Sequence, residues 1–125
     1  HLGQTDEVVT KAREVLGEYT WIGLSIESLP QLHEANKINY INYVAASAIF
    51  PSKSKQNCQT YWGLDGLKKF VTLSKHPVVA IGGIELENIT AIKQQGIAGI
   101  AVISAIHDSD NPQKTAKTML KLLGA

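Results

Sequence analysis

The sequence predicts an α/β protein in which a parallel sheet is covered by helices. Short runs rich in Val, Ile and Ala alternate along the chain with segments whose apolar residues recur at helical spacing. The short runs show no clean alternation of apolar and polar residues, which is typical of strands buried on both faces. The predicted strands span residues 20–26, 40–49, 78–84 and 97–106.

Helical faces are clearest near the two ends of the chain, where apolar residues recur three or four positions apart. Each set would lie along one side of a helix and pack against the sheet. The first set is Val8, Val9, Ala12, Val15 and Leu16, and the last is Ala116, Met119, Leu120 and Leu123.

Residues with capping chemistry mark the ends of the helices. Ser28, followed by Pro30, is suited to begin a helix, because its hydroxyl can accept a first-turn N–H and proline is tolerated there. Asn111 before Pro112 gives the same signal for the last helix. Gly124 follows that helix and is suited to its C-terminus.

The composition limits the classes of function. With 125 residues, 44% of them apolar, and a net charge of +1, the chain fits one compact soluble unit and lacks the basic surplus of nucleic-acid-binding proteins. Its apolar runs fall well short of the roughly 20 residues that cross a bilayer, so we expect no membrane partner. The single cysteine, Cys58, cannot close an internal disulfide, and we expect a cytoplasmic protein.

Successive strand–helix units fit either an open doubly wound sheet or part of a (β/α)8 barrel, and periodicity alone does not separate the two. Active sites of barrels lie at the carboxyl ends of the strands. Every predicted strand ends in small or polar residues, which favours the barrel and a site at that edge. These residues are Ser25, residues 51–55, Gly82 with Gly83, and Ser104.

Two adjacent glycines in the stretch AIGGI indicate a close approach to the backbone. Because Gly82 and Gly83 have no Cβ, an anionic group could reach the backbone N–H donors beside them. Ile103 and Ser104 end the next predicted strand, and phosphate sites of barrels are frequently built from the loops after the last two strands. The alternative is that the glycines only permit a tight turn between strand and helix.

The stretches HLGQTD, LSIES, AIFPSKSK, AIGGI and AVISAI, in this order, resemble those of thiamine-phosphate synthases. The resemblance covers nearly the whole chain and implies a (β/α)8 barrel. In that fold His1 would lie at the end of the fourth strand. Residues 1–125 would then form a single partial domain, the C-terminal five-eighths of the barrel, with parallel strands and outer helices.

The resemblance also implies a reaction. The family joins hydroxymethylpyrimidine diphosphate to a thiazole phosphate, releases pyrophosphate and makes thiamine phosphate, with Mg²⁺ assisting the departure. Catalysis of this kind depends on stabilising the charge of the leaving group, so the site needs cations and hydrogen-bond donors more than a nucleophile.

Residues of the first three stretches match the family's catalytic and substrate contacts. Asp6 matches a Mg²⁺ ligand, with the alternative that it only caps a helix. Ser25 matches a contact to the diphosphate, and Lys55 would reach the same group and neutralise its charge. Ser52 and Ser54 stand in the family's threonine positions, which face the thiazole substrate.

The remaining matches complete the expected substrate contacts. Lys53 belongs to the same loop, although its side chain is expected to face solvent. Gly83, Ile103 and Ser104 match the family's contacts to the thiazole phosphate.

Two places depart from the family pattern. Ser47 and Ala48 stand where the family usually has Gly-Pro, so the entry to the loop is expected to differ. Asn42 stands where an acidic residue usually precedes the strand.

Two other functions stay open: a thiazole tautomerase-like isomerase, and a non-catalytic domain that only binds phosphate. Lys55 argues against the first, since those paralogues generally lose the surrounding pattern. The family's other contacts to the pyrimidine diphosphate, and one Mg²⁺ aspartate, have no match in the chain. We therefore expect the isolated 125 residues to be inactive, and a second copy or an upstream chain to complete the barrel.

Overall fold

The computed structural model describes residues 1–53 and 60–125. Within these residues the chain alternates between helices and strands. In chain order the elements are α1 (Val9–Leu16), β1 (Gly23–Ile26), α2 (Leu29–Ala35), β2 (Tyr43–Ser47), α3 (Gly63–Leu73), β3 (Val78–Ile81), α4 (Ile89–Lys93), β4 (Gly99–Ala101), α5 (Ser104–His107) and α6 (Pro112–Leu123).

The strands form a four-stranded sheet in the order β1-β2-β3-β4, with every neighbouring pair parallel. The α/β fold class predicted from the sequence is therefore confirmed. An isolated parallel bridge joins Leu2 to Leu24 on the outer side of β1, where the Leu2 N–H donates to the Gly23 carbonyl at 2.9 Å. A short extended segment thus precedes the four strands and continues the sheet.

The core lies on both faces of the sheet. In β2 four consecutive residues, from Val44 to Ser47, are buried, as expected for a strand covered on both sides. Helix α3 contributes Leu67 and Phe70 to this core, and α4 contributes Ile89 and Ile92, all fully buried. The lack of alternation in the sequence therefore indicated two-sided burial correctly.

Helix caps follow the predicted chemistry. The Ser28 hydroxyl accepts the Gln31 N–H at 3.3 Å at the start of α2, and the Asn111 side-chain oxygen accepts the Lys114 N–H at 3.1 Å at the start of α6. Gly124 ends α6 in the left-handed conformation, with φ of 85°.

The predicted strands were too long, most of all the last one. The run 97–106 was expected to be a single strand, but β4 ends at Ala101 and residues 104–107 form helix α5. Ile103 and Ser104 therefore begin a helix and do not end a strand. A continuous apolar run is compatible with a buried strand or a buried helix, which is why the boundary was missed.

Helix α1 does not bury the face that its sequence predicted. Val9 is buried, whereas Val8, Val15 and Leu16 are 64%, 76% and 51% exposed. No element among residues 1–53 and 60–125 covers this side of the helix. In the same described ranges, none of the helices has the length and apolarity that crossing a membrane requires.

Candidate functional site

A cavity of about 270 Å³ opens at the carboxyl edge of the sheet. It is bounded by the ends of all four strands and by the segments that follow them. The lining residues are His1, Ser25, Ser47, Ala48, Ser52, residues 81–84 and residues 101–104.

Parallel pairing brings these residues together. Ser25 lies beside Ala45, Ala46 beside Ala80, and Ile81 beside Ala101, so the carboxyl ends of the strands form one rim. The sequence placed Ser25, Ser52, Gly83 and Ser104 on a common rim, and all four line the cavity. Their contacts to a substrate stay predictions.

Ser25 is held by a side-chain network that sequence reasoning missed. The His1 ring places Nε2 at 2.7 Å from the Ser25 hydroxyl oxygen and Nδ1 at 2.9 Å from the Tyr43 hydroxyl oxygen. The His1 and Tyr43 rings are stacked, with centroids 5.6 Å apart. His1 opens the HLGQTD stretch, but no pattern in the sequence indicates its partners, Ser25 and Tyr43, on the neighbouring strands.

The backbone conformation and a neighbouring segment of the protein are sufficient to account for the two adjacent glycines. Gly82 and Gly83 have φ of 105° and 66°, which disfavours other residues. A Cβ on Gly82 would lie 2.5 Å from the Ala48 Cβ, and one on Gly83 would lie 2.6 Å from the Pro51 carbonyl oxygen. The segment that closely approaches these glycines is thus the entry of the loop after β2. Whether a phosphate also lies against Gly83 stays a prediction.

The loop after β2 is closed at its base. The Trp62 indole N–H donates to the Ser47 carbonyl at 2.9 Å, and the Trp62 backbone N–H donates to the Ala48 carbonyl at 3.0 Å. The Trp62 ring also packs edge-on against Phe70, at a centroid distance of 5.0 Å. These contacts hold the two ends of the loop together beside the cavity.

The loop residues predicted to bind substrate divide into three groups. Ser52 is half-buried and lines the cavity. Lys53 is exposed, as expected for a side chain that faces solvent, and lines a neighbouring hollow together with Glu85 and Asp108. Ser54 and Lys55 lie outside the described residues.

Ile103 and Ser104 line the cavity at the start of α5. The Ile103 carbonyl accepts the His107 N–H at 2.9 Å, which closes the first turn. Because Ser104 is the first residue of this helix, its own N–H has no acceptor within the helix. Ser104 can therefore offer a backbone N–H donor, as the sequence suggested. The donor lies at the start of a helix and not at the end of a strand.

Asp6 lies in the loop before α1 and does not line the cavity. Its Oδ2 accepts the Gly3 N–H at 2.6 Å, and α1 begins only at Val9, so Asp6 is not the helix cap considered as the alternative. Among residues 1–53 and 60–125, no group of three His, Cys, Asp or Glu side chains could hold a metal ion. Mg²⁺ is often held by one or two carboxylates and substrate phosphates, so Asp6 could supply one ligand at most.

The fold and the cavity define a class: α/β proteins of the barrel type, whose sites lie at the carboxyl ends of parallel strands. Residues 1–106 match the family model described as thiamine monophosphate synthase. The chain belongs to this family, and the family resemblance read from the sequence is confirmed.

Curated relatives give the same result. The chain is 42% identical over 123 residues to a thiamine-phosphate synthase of Vibrio parahaemolyticus and 41% identical over 123 residues to one of Chlamydia abortus. Each alignment covers 98% of this chain but only 60% and 58% of the respective relative. The chain thus spans less than two thirds of these proteins.

Solved structures support the fold. A thiamine phosphate pyrophosphorylase of Pyrococcus furiosus superposes with a TM-score of 0.86 at 35% identity, over 98% of this chain and 57% of that one. The 3-hexulose-6-phosphate synthase of Salmonella typhimurium superposes over 98% of this chain and 59% of that one, with a TM-score of 0.73 at 14% identity, and shows the fold alone.

Proposed function

We propose that the protein containing this chain is a thiamine-phosphate synthase, which couples hydroxymethylpyrimidine diphosphate to thiazole phosphate. The proposal is carried by one observation. Ser25, Ser52, Gly83 and Ser104, which match the family's substrate contacts, meet at a single cavity. The similarity to thiamine-phosphate synthases over 98% of the chain supports the same activity.

The reaction breaks one bond and forms another at the same carbon. The bond from the pyrimidine methylene to the diphosphate oxygen breaks, and pyrophosphate leaves with the electron pair. The thiazole nitrogen then forms the new bond to the methylene carbon. Negative charge develops on the leaving group, so donors fixed around it lower the barrier.

Each wall of the cavity would serve a different substrate. Ser25 would donate its hydroxyl to the diphosphate, and Lys55 would bring a compact positive charge to the same group. Ser52 and Ser54 would contact the thiazole. Its phosphate would lie against the backbone beside Gly83 and at the start of α5, where Ile103 and Ser104 lie.

Mg²⁺ is proposed as the metal that neutralises the diphosphate. Asp6 would supply a carboxylate to it, and its other protein ligands would come from outside the described residues. The concentration of Mg²⁺ needed for half-maximal rate should rise several-fold in Asp6→Asn if this assignment is right.

We also propose that another chain or a second copy completes the barrel. The exposed apolar side of α1, at Val8, Val15 and Leu16, supports such a cover, because large exposed apolar patches usually mark contact surfaces. A cytoplasmic location is proposed with it, since the substrates are intracellular phosphates. We expect the 125 residues alone to be inactive.

The decisive experiment incubates the protein in its longest natural form with both substrates and Mg²⁺, and measures thiamine phosphate and pyrophosphate. Equal amounts of the two products support the proposal. Isomerisation of the thiazole without coupling would indicate a tautomerase instead, and phosphate binding without turnover would indicate a non-catalytic domain.

A further inference from the structure

Within residues 1–53 and 60–125, Tyr43 is linked to the candidate site through His1. Its hydroxyl lies 2.9 Å from the His1 Nδ1, and the other ring nitrogen, Nε2, lies 2.7 Å from the Ser25 hydroxyl. The three side chains form a linear chain of hydrogen bonds that ends at the cavity, which His1 and Ser25 line.

The donor–acceptor order of the hydrogen bonds among Tyr43, His1 and Ser25 determines whether the Ser25 hydroxyl can donate to a ligand in the cavity. A neutral imidazole donates from one nitrogen and accepts at the other. If Tyr43 donates to Nδ1, then Nε2–H donates to Ser25, and the Ser25 proton is free to point into the cavity. In the reverse arrangement, the Ser25 hydroxyl donates its proton to His1 Nε2. Ser25 could then only accept a hydrogen bond from a group in the cavity.

The chemistry of the two hydroxyls selects the first arrangement. A phenol, with a pKa of about 10, is a stronger hydrogen-bond donor and a weaker acceptor than an aliphatic alcohol. Tyr43 is therefore the better donor to His1, and Ser25 the better acceptor. An anion in the cavity favours the same order, because it needs the Ser25 proton.

Gly23 is shaped to seat the tyrosine ring. Gly23 pairs with Tyr43 across the parallel strands β1 and β2. A Cβ built on Gly23 would lie 2.0 Å from the Tyr43 ring, so any other residue there would displace the ring. Glycine inside a strand usually weakens the strand, and it often marks a place where another group approaches the backbone closely. Here that group is the Tyr43 ring.

We propose that Tyr43 is a positioning residue, which fixes the His1 ring in its Nε2–H form so that Ser25 donates its proton to an anionic substrate group. Gly23 makes room for the Tyr43 ring. The identity of the anion as a diphosphate rests on the proposed function, but the proton arrangement does not.

The first test measures the His1 tautomer in the ¹⁵N-labelled protein from two-bond imidazole correlations. The parent protein should show Nε2–H, and Tyr43→Phe should lose this preference. Tyr40→Phe is the matched control, since its hydroxyl also makes a 2.9 Å hydrogen bond, to Thr10, away from the cavity. An Nδ1–H tautomer in the parent overturns the proposal without any variant.

The second test measures pyrophosphate affinity by calorimetry. Removing one hydrogen bond to a charged group should weaken binding about 10- to 150-fold in Ser25→Ala. Tyr43→Phe should weaken it about 2- to 5-fold through the misdirected proton, and the double variant should match Ser25→Ala alone. Tyr40→Phe should bind like the parent.

The outcomes separate this proposal from the proposed function. If Tyr43→Phe leaves both the tautomer and the affinity unchanged while Ser25→Ala loses affinity, the positioning role is wrong and the function stands. If the tautomer and affinity respond as expected but no thiamine phosphate forms, the positioning role stands and the function is wrong.

Discussion

The two walls of the cavity are built in different ways. The side-chain wall consists of His1 and Ser25, with Tyr43 behind His1, and the hydrogen bonds among them join segments far apart in the sequence. The backbone wall consists of Gly82, Gly83 and Ser104, where the shape of the main chain and not a functional group defines the surface.

Substitutions should therefore affect the two walls differently. The side-chain wall can lose a single hydroxyl without a change of shape, so isosteric variants should alter chemistry and leave stability nearly unchanged. The glycines of the backbone wall have no side chain to remove, so a substitution there can only add atoms. Such a variant should act on folding first, because the loop entry at Ala48 and Pro51 already fills the space beside the glycines.

The largest effect is expected from Lys55→Ala, which tests whether a side-chain charge stabilises the leaving group. Loss of one preorganised electrostatic contact should cost about 2 to 4 kcal/mol of transition-state stabilisation. The turnover number should fall more than thiazole affinity, because the charge develops only as pyrophosphate leaves. Steady-state kinetics of coupling measure both.

Lys117→Ala is the control for this variant, since Lys117 lies on helix α6, remote in sequence from the loop. It should couple the substrates at the parental rate. Parental turnover in Lys55→Ala would show that Lys55 is only a solvated loop charge and would weaken the proposed function.

Gly83→Ala tests the backbone wall. Gly83 and Gly63 have nearly the same φ, 66° and 63°, but a Cβ on Gly63 would meet nothing within 4 Å. Both variants carry the cost of a positive φ, and only Gly83→Ala adds a collision with Phe50 and Pro51. Its free energy of unfolding should be lower than that of Gly63→Ala by about 1 to 3 kcal/mol.

Urea denaturation of the two glycine variants measures this difference directly. Equal stabilities would mean that the loop entry yields to an extra methyl group. The positive φ of Gly83, and not the contact with Phe50 and Pro51, would then account for the glycine at this position.

Local signals in the sequence were sufficient for much of the fold. The buried run of β2 and the capping residues Ser28 and Asn111 depend on neighbours in the chain, and their roles were predicted correctly. The common rim followed from the rule that parallel strands end at one edge, and Ser25 and Ser104 lie there.

The missed features depend on contacts between distant segments. The seat of Tyr43 on Gly23 requires the register of β1 against β2, which no local pattern records. The exposure of α1 at Val15 was missed for the same reason. The helical spacing of apolar residues predicts an apolar face but does not show which segment packs against it. The start of α5 inside an apolar run was missed because a buried strand and a buried helix can both contain such a run.

Trp62→Phe should give a smaller effect, at the base of the loop that carries Ser52. The variant keeps the ring against Phe70 but removes the indole N–H that donates to the Ser47 carbonyl at 2.9 Å. Loss of this bond should cost about 1 kcal/mol of stability in thermal or urea unfolding. Trp21→Phe is the control, because Trp21 is 77% exposed, and it should change stability by less than about 0.5 kcal/mol. Equal losses in both variants would contradict the anchoring role.

The smallest effect is expected at Asn42, immediately before β2, where the family resemblance predicts an acidic residue. Its Oδ1 accepts the Ile22 N–H at 2.8 Å and an Arg13 guanidinium N–H at 3.2 Å. Asn42→Asp keeps an acceptor for both and adds a charge-assisted bond to Arg13. The gain should be under about 1 kcal/mol, because the position is exposed to solvent.

The pH dependence gives this last variant its sharpest test. Arg13 should hold the pKa of the new carboxyl below its ordinary value of about 3.9, so its added stability is present above that pH. The gain should be lost as pH falls through the lowered folded-state pKa. Asn42→Ala, which removes the acceptor for the Ile22 N–H, should lose about 1 kcal/mol at any pH. Urea unfolding at neutral pH and near pH 3 measures both variants. If Asn42→Asp is as unstable at neutral pH as Asn42→Ala, the carboxylate does not replace the amide beside Arg13, and the departure from the family pattern is a real constraint at this position.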